Sequence, residues 1–414
     1  MMADDPNPSG GAPDESHPGA GAPRMEQFAK KPIPDVPPNK ALQWFLLVAL
    51  VITGSAYVVN EWVELTTSPT QVRGETKLQR LVRGQSEYLS HSQAGAEAFA
   101  KQHYDLAVSE YRLALQGQNN AAGHESLGRA LLKQGNPEAA FAQFREALAL
   151  DPALVSVASA WGLALAEVGK PEEAARIFQD ALQRNPDSGL LHYNLATTLL
   201  QMRTDAEGRR RMAAAAGHSP EAAAAETEAN GLAEEALRHF TKASRNKVDS
   251  PAFWCGYGQL LNQLGQHAEA EACLVRAVSE DAGLATAHFQ LAMAEDQLGK
   301  YAEAIEHYRQ VLTLTPDDPA TLNNLALLYA TATNAEVRSP KMAVQLATRA
   351  CDPTTSQNAR YMDTLARSYA ADGDFFQAIT WEEKALHRAR QLNDEDLARE
   401  LQARDTLFVD HKMQ

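Results

Sequence analysis

The stretch Ala285 to Asp318, ATAHFQLAMAEDQLGKYAEAIEHYRQVLTLTPDD, constrains the fold more than any other part of the chain. It reads as two amphipathic helices hinged at Gly299-Lys300. In the first, His288, Leu291, Ala292 and Leu298 share a stripe at helical spacing; in the second, Ile305, Tyr308 and Leu312 do the same. Gly299 suits the left-handed residue that ends a helix, and Pro316 lies just past the end of the second. Ala292 and Ala304 are small where two antiparallel helices must approach closely. Neither helix buries its stripe alone, so the pair needs neighbours of the same kind.

The chain supplies them. Gly95, Phe99, Tyr104, Ala107, Tyr111 and Ala114 mark a first copy, and Leu127, Gly128, Gly135, Ala140, Phe144 and Pro152 a second. Trp161, Gly162, Gly169, Ala174, Phe178 and Pro186 mark a third. A fourth opens with Leu195 and Ala196 and closes with Ala236, Phe240 and Ala243. Trp254, Gly258, Gly265, Ala270 and Leu274 give a fifth; the opening stretch is the sixth. Leu325, Ala326, Tyr329 and Ala343 give a seventh, and Leu365, Ala366, Tyr369, Gly373 and Ala378 the last. This pattern resembles the tetratricopeptide repeat (TPR) family, with its period of about 34 residues and its W-x2-L-G-x2-Y, A-x3-F, P skeleton. The resemblance covers residues 88–390, and it implies an all-α fold, a solenoid of helix-turn-helix repeats. Asn136-Pro137-Glu138 and Asp318-Pro319 place a capping side chain before a proline at the first helical position. Residues 391–414 read as a terminal helix that shields the open apolar end of the stack.

Two copies depart from the pattern. The fourth carries an Ala- and Glu-rich insertion over residues 202–231, with Arg209-Arg210-Arg211 inside it. It reads as a solvated insertion between paired helices, which loops tolerate at little cost; an Arg cluster for an acidic partner is the sharper alternative. The seventh is stretched at ATATNAEVRSPKMAV. The residues from there on resemble a C-terminal block of bacterial TPR proteins.

Residues 1–40 are rich in Pro, Gly and Asp with almost nothing apolar to bury, and read as a disordered tail. Residues 41–60, ALQWFLLVALVITGSAYVVN, hold no charge and would span roughly 30 Å as a helix, about a bilayer's hydrocarbon thickness. A retained transmembrane anchor and a cleaved signal peptide, with Gly54-Ser55-Ala56 as its cleavage site, both fit; the long, partly acidic lead favours the anchor. Lys30, Lys31 and Lys40 precede the segment and Arg73 is the first basic residue after it. The positive-inside bias then leaves the N-terminus in the cytoplasm and the repeats outside it, on a bacterial inner membrane. A polar linker over 61–87, helical in its later half, completes the expected layout.

The chemistry is mostly excluded. A formal charge of −15 argues against nucleic acid as a partner. Cys255, Cys273 and Cys351 make neither a disulfide framework nor a metal spacing. No HExxH, P-loop, dinucleotide fingerprint or GxSxG elbow occurs, so neither an enzyme nor a cofactor or small-molecule substrate is expected. His91, His124, His192 and His288 recur at one position of the first helix of each pair. Stacked helices stand about 10 Å apart, too far for these to share a metal, so they read as core or interface histidines.

A surface remains. In TPR folds the first helix of each pair lines a concave groove, and the resemblance assigns its fifth, sixth and ninth positions to ligand contact. Here these are Tyr193, Asn194 and Thr197; Cys255, Gly256 and Gln259; Phe289, Gln290 and Met293; Asn323, Asn324 and Leu327. Amides can bond an extended peptide's main chain, while Tyr193, Phe289 and Met293 offer apolar anchors. The expected function is therefore a membrane-anchored scaffold that binds other proteins in its groove and helps assemble a bacterial envelope complex. A regulatory subunit of a membrane enzyme such as a glycosyltransferase is the alternative.

Overall fold

The computed structural model describes residues 77–351 and 358–413. The tail expected over 1–40, the transmembrane helix expected over 41–60 and the linker up to residue 76 lie outside them. The chain divides into two units, Met1–Ser86 and Glu87–Gln414. Of the first, residues 77–86 are described, as the opening turns of a helix.

Every regular element among the described residues is an α-helix, and the helices come as hairpins. Helix α1 (Lys77–Ala100) precedes α2 (Tyr104–Gly117), α3 (Ala121–Lys133) pairs with α4 (Pro137–Leu150), and α5 (Val155–Glu167) with α6 (Pro171–Arg184). The long α7 (Gly189–Ala215) pairs with the equally long α8 (Ser219–Arg245). Then α9 (Pro251–Gln263) pairs with α10 (His267–Glu280), α11 (Ala285–Gln297) with α12 (Tyr301–Leu314), and α13 (Pro319–Thr331) with α14 (Pro340–Ala350). The last pair is α15 (Ala359–Asp372) with α16 (Phe375–Gln391), and α17 (Glu395–Met413) packs on α16. The first member of each pair is called A below and the second B.

Local chemistry sets these boundaries. Both expected caps form: Asn136 accepts from the Ala139 N–H, and Asp318 from the Thr321 N–H at 2.8 Å. At the A–B hinge of the opening stretch, Gly299 takes φ +75° and Lys300 N–H donates to Glu295 O at 2.8 Å, the six-to-one bond that closes a helix end. The first hairpin has no glycine there and forces Gln102 to φ +62° instead.

Inside each hairpin a large side chain of B lies directly over a small residue of A. A Cβ built on Gly128 would come within 2.6 Å of the Phe144 ring, one on Gly95 within 2.8 Å of Tyr111, and one on Gly258 within 2.5 Å of Leu274. Gly162 under Phe178 is the same contact. Later repeats put Ala196, Ala292, Ala326 and Ala366 at that position, all wholly buried. Phe144, Phe178 and Phe240 are likewise fully enclosed, so the hairpin interface is dry.

The insertion is not a loop. It lengthens both helices of the fourth pair to 27 residues each, about 40 Å long where the paired helices of the neighbouring hairpins run near 20 Å. Ala225, Ala229 and Ala233, at four-residue spacing on α8, are buried with Ala206 of α7, and Gly217 turns the tip at φ +75°. Alanine is the strongest helix former and lets two backbones approach closely, which is why the segment forms a helical arm. Arg209 is engaged across it, donating two hydrogen bonds to Glu228 at 2.8 and 2.9 Å.

The expected location must be corrected. No described helix is long and apolar enough to cross a membrane, and the segment 41–60 on which the expectation rested lies outside the described residues. The single-pass placement with extracytoplasmic repeats is therefore withdrawn.

The packing sets up opposed effects. Gly128→Ala drives a methyl group into an enclosed ring and is expected to cost about 1–3 kcal/mol. Gln102→Gly relieves a left-handed residue and is expected to gain about 0.5–1 kcal/mol after its larger unfolded-state entropy is subtracted. Urea unfolding followed by circular dichroism measures both.

Candidate functional site

The candidate residues sit on α7, α9, α11 and α13, the A helices of consecutive hairpins. Tyr193, Gln259, Phe289, Gln290, Met293 and Asn324 are half-buried, each enclosed on one side and open on the other. Asn194 and Asn323 are not part of that open row: they are 3% and 8% exposed. Nδ2 of Asn194 and Oδ1 of Asn323 have no hydrogen-bond partner, and neither atom reaches the surface. Cys255, at the corresponding position of α9, is also buried.

Several open residues carry packing as well. The Tyr193 ring meets Phe253 edge-on at 5.6 Å and lies 6.2 Å from Phe240, joining the fourth and fifth hairpins. Burial pushes its phenol pKa up. Phe289 meets Tyr308 edge-on at 6.0 Å and lines a recess of about 290 Å³ with Ala285, Thr286, Val311, Thr315, Asp318, Ala320 and Thr321. This recess is mostly apolar and suits an aliphatic or aromatic side chain. Gln290 is held from the preceding hairpin: the Asn262 amide donates to its backbone oxygen at 2.8 Å and to its Oε1 at 3.3 Å. Sequence reasoning missed Asn262. An amide near the end of an A helix is the available signal, but its partner lies 28 residues on.

The recurring histidines form a second layer, turned toward the B helices. His91 bonds Glu110 at 2.7 Å and His124 bonds Gln143 at 2.8 Å, both 19 residues on. His288 meets His307 at 3.0 Å with the same offset, and His192 meets His239 at 2.8 Å across the arm. In the two His–His pairs, Nε2 of the A-helix histidine lies on a carbonyl, Ala282 O at 3.1 Å or Pro186 O at 2.9 Å. That nitrogen must carry the proton, so Nδ1 of His288 and His192 accepts from Nδ1–H of His307 and His239. The A-helix ring of each pair is thereby held in one tautomer.

Burial, and then the neighbouring His192, push the His239 pKa down to about 4. Burial also lowers His192 and His307. Glu295, which faces His307 Nε2 at 3.5 Å and is 4% exposed, is pushed up to about 7, mainly by its own burial. The cysteines are protonated at neutral pH: burial raises all three, Cys273 to about 11 and Cys351 to about 12. None is an activated nucleophile. Among the described residues no group of three or more His, Cys, Asp or Glu is arranged to hold a metal.

Tandem antiparallel helix hairpins, each packed on the next, define a helical-repeat protein of the interaction-scaffold kind. The chain belongs to the tetratricopeptide repeat family. Family models described as tetratricopeptide repeat match residues 121–154, 165–230, 226–285 and 358–396, and one described as TPR repeat matches 296–332. No curated protein matches it. Among solved structures it is similar to that of pilF from Pseudomonas aeruginosa, at 18% identity and TM-score 0.47, covering 59% of this chain and 98% of that one. A tetratricopeptide repeat protein from Parabacteroides merdae matches at 15% identity and TM-score 0.44, covering 68% and 98%. YrrB, described as a TPR protein with an unusual peptide-binding site, matches at 16% identity and TM-score 0.36, covering 63% and 97%.

The 192/239 pair generates a pH prediction. His239 titrates near 6.5 when unfolded and about 4 when folded, so between those values the unfolded chain takes up a proton that the fold refuses. Its contribution is whole above pH 6.5 and is lost as pH falls towards 4. Glu295 acts oppositely, its contribution falling as pH rises from about 4.5 to about 7. Replacing His239 by Gln is therefore expected to flatten the acid-side fall of the urea midpoint between pH 7 and 5, while Glu295→Gln steepens it.

Proposed function

We propose that this protein is a non-enzymatic scaffold that captures segments of other proteins along the face of its A helices and so assists their assembly. The observation that carries this reading is the open row Tyr193, Gln259, Phe289, Gln290, Met293 and Asn324, aligned over successive hairpins beside an apolar recess at Phe289. Amides spaced along such a row can bond the main chain of an extended segment, while the aromatic rings take its side chains. Asn324 Oδ1 already accepts a hydrogen bond from the Asn323 amide at 3.2 Å, which pre-orients it. Asn194 and Asn323 act beneath this surface, as supports. The hairpins hold the row rigid before a partner arrives, which lowers the ordering cost of binding.

The test compares the full chain with a variant carrying Tyr193→Ala, Phe289→Ala and Asn324→Ala as bait for co-purifying proteins. Partners retained by the wild type are expected to fall at least tenfold with the variant, while its helical circular dichroism is unchanged. Equal recovery by both baits defeats the reading. Because Tyr193 also packs on Phe253, a Phe289→Ala, Asn324→Ala double variant serves as the check on folding.

A further inference from the structure

A second recess, of about 300 Å³, opens between the seventh and eighth hairpins and the terminal helix. Ala330, Ala370, Ala371 and Phe375 make its apolar wall, and three arginines, Arg338, Arg367 and Arg404, line it with them. Arg338 comes from the stretched connection between α13 and α14, Arg367 from α15, and Arg404 from α17.

Two of the three are left without a close partner. Arg338 is exposed and makes no ion pair among the described residues. The Arg367 side chain is only 30% exposed, and its partner there is Asp363 at 4.0 Å, the outer limit of an ion pair and too long for a hydrogen bond. A guanidinium carries five N–H donors, so Arg367 is left with a largely unanswered fork in a partly dry site. Arg404, 19% exposed, takes Asp363 more tightly and bonds Glu400 at 2.8 Å. Glu382 lies beneath them, wholly enclosed, 3.7 Å from Arg404 and without a hydrogen-bond partner. Burial, then the neighbouring Asp363, push the Glu382 pKa up. Asp363 and Glu400 are the carboxylates that engage these arginines most closely, and neither reaches Arg338.

We propose that this recess receives a carboxylate of an acidic segment of a protein partner. A planar guanidinium fork meets a carboxylate through two parallel hydrogen bonds, and partial burial strengthens each of them. The recess takes part of its lining from α13 and α15, two of the A helices, so the inference rests on the reading that the A helices bind protein segments and adds the charge that such a segment carries.

The experiment uses the full chain and two fluorescein-labelled octapeptides, one alternating Glu with Ala and one alternating Gln with Ala, followed by anisotropy. The glutamate peptide is expected to bind at least tenfold more tightly than its glutamine twin. Arg338→Gln and Thr331→Glu, both at exposed positions, are each expected to weaken it at least fivefold with unchanged circular dichroism. Equal binding of the two peptides overturns the proposal, as does wild-type affinity in both variants. Displacement by millimolar inorganic phosphate as effective as by unlabelled peptide marks a general anion site and overturns the acidic-segment assignment too. The two readings fail separately: loss of partners by the Tyr193, Phe289 and Asn324 variant with no glutamate-peptide binding leaves the A-helix face standing and removes the recess. Peptide binding that responds to Arg338→Gln, with equal recovery of partners by both baits, does the reverse.

Discussion

Each hairpin depends on one contact, a bulky B-helix side chain seated on a residue of A too small to keep it out. Phe144 over Gly128 and Phe178 over Gly162 show its tight form, and the alanines at 196, 292, 326 and 366 its looser one. A ring so enclosed contributes about 1.5–3 kcal/mol, far less than the ordering entropy of the roughly 30 residues that supply it. One hairpin is therefore unstable by itself. Stability accumulates only as neighbours stack, and the terminal helix α17 covers the last apolar flank with Leu397, Ala398 and Leu401 buried.

The same stacking sorts polar groups into layers. Side chains of A that turn toward B form the histidine layer, with its fixed offset of 19 residues in unmodified hairpins. Half-buried side chains at other A positions form the open row, Tyr193 and Phe289 touching B-helix rings as well. Between them, amides such as Asn262 clamp one hairpin to the next, so a side chain of the row is held by structure before it meets anything else. Tyr193 belongs to both worlds, since one edge packs on Phe253 and the other faces out. The arm of the fourth hairpin leaves this order undisturbed: its His192–His239 pair forms in spite of the inserted residues between the partners.

The repeat, its hinge glycines and its caps were legible because each is a local matter. A left-handed turn selects glycine, and a first-turn N–H selects Asn, Asp or Ser, whatever the chain does elsewhere. The arm's position between two repeat helices suggests a loop, whereas its Ala- and Glu-rich composition has high helix propensity and decides the outcome. Asn194 and Asn323 were placed on the open row by their sixth and fifth positions, but a helix side chain's exposure depends on how closely the next hairpin approaches, and here it closes over them.

From the amino-acid order alone came the all-helical class and the number and phase of the hairpins, while the surface on which to seek binding came from the resemblance to the repeat family. Class, number and phase follow from periodicity and steric preference, which act within one or two turns of chain. The tertiary structure decided which amides remained open, which histidine faced which partner, and that Arg338, Arg367 and Arg404, from three separate elements, share one recess. The reason is geometric: distance in space between hairpins is set by the sum of many side-chain contacts, and no short window of sequence contains that sum.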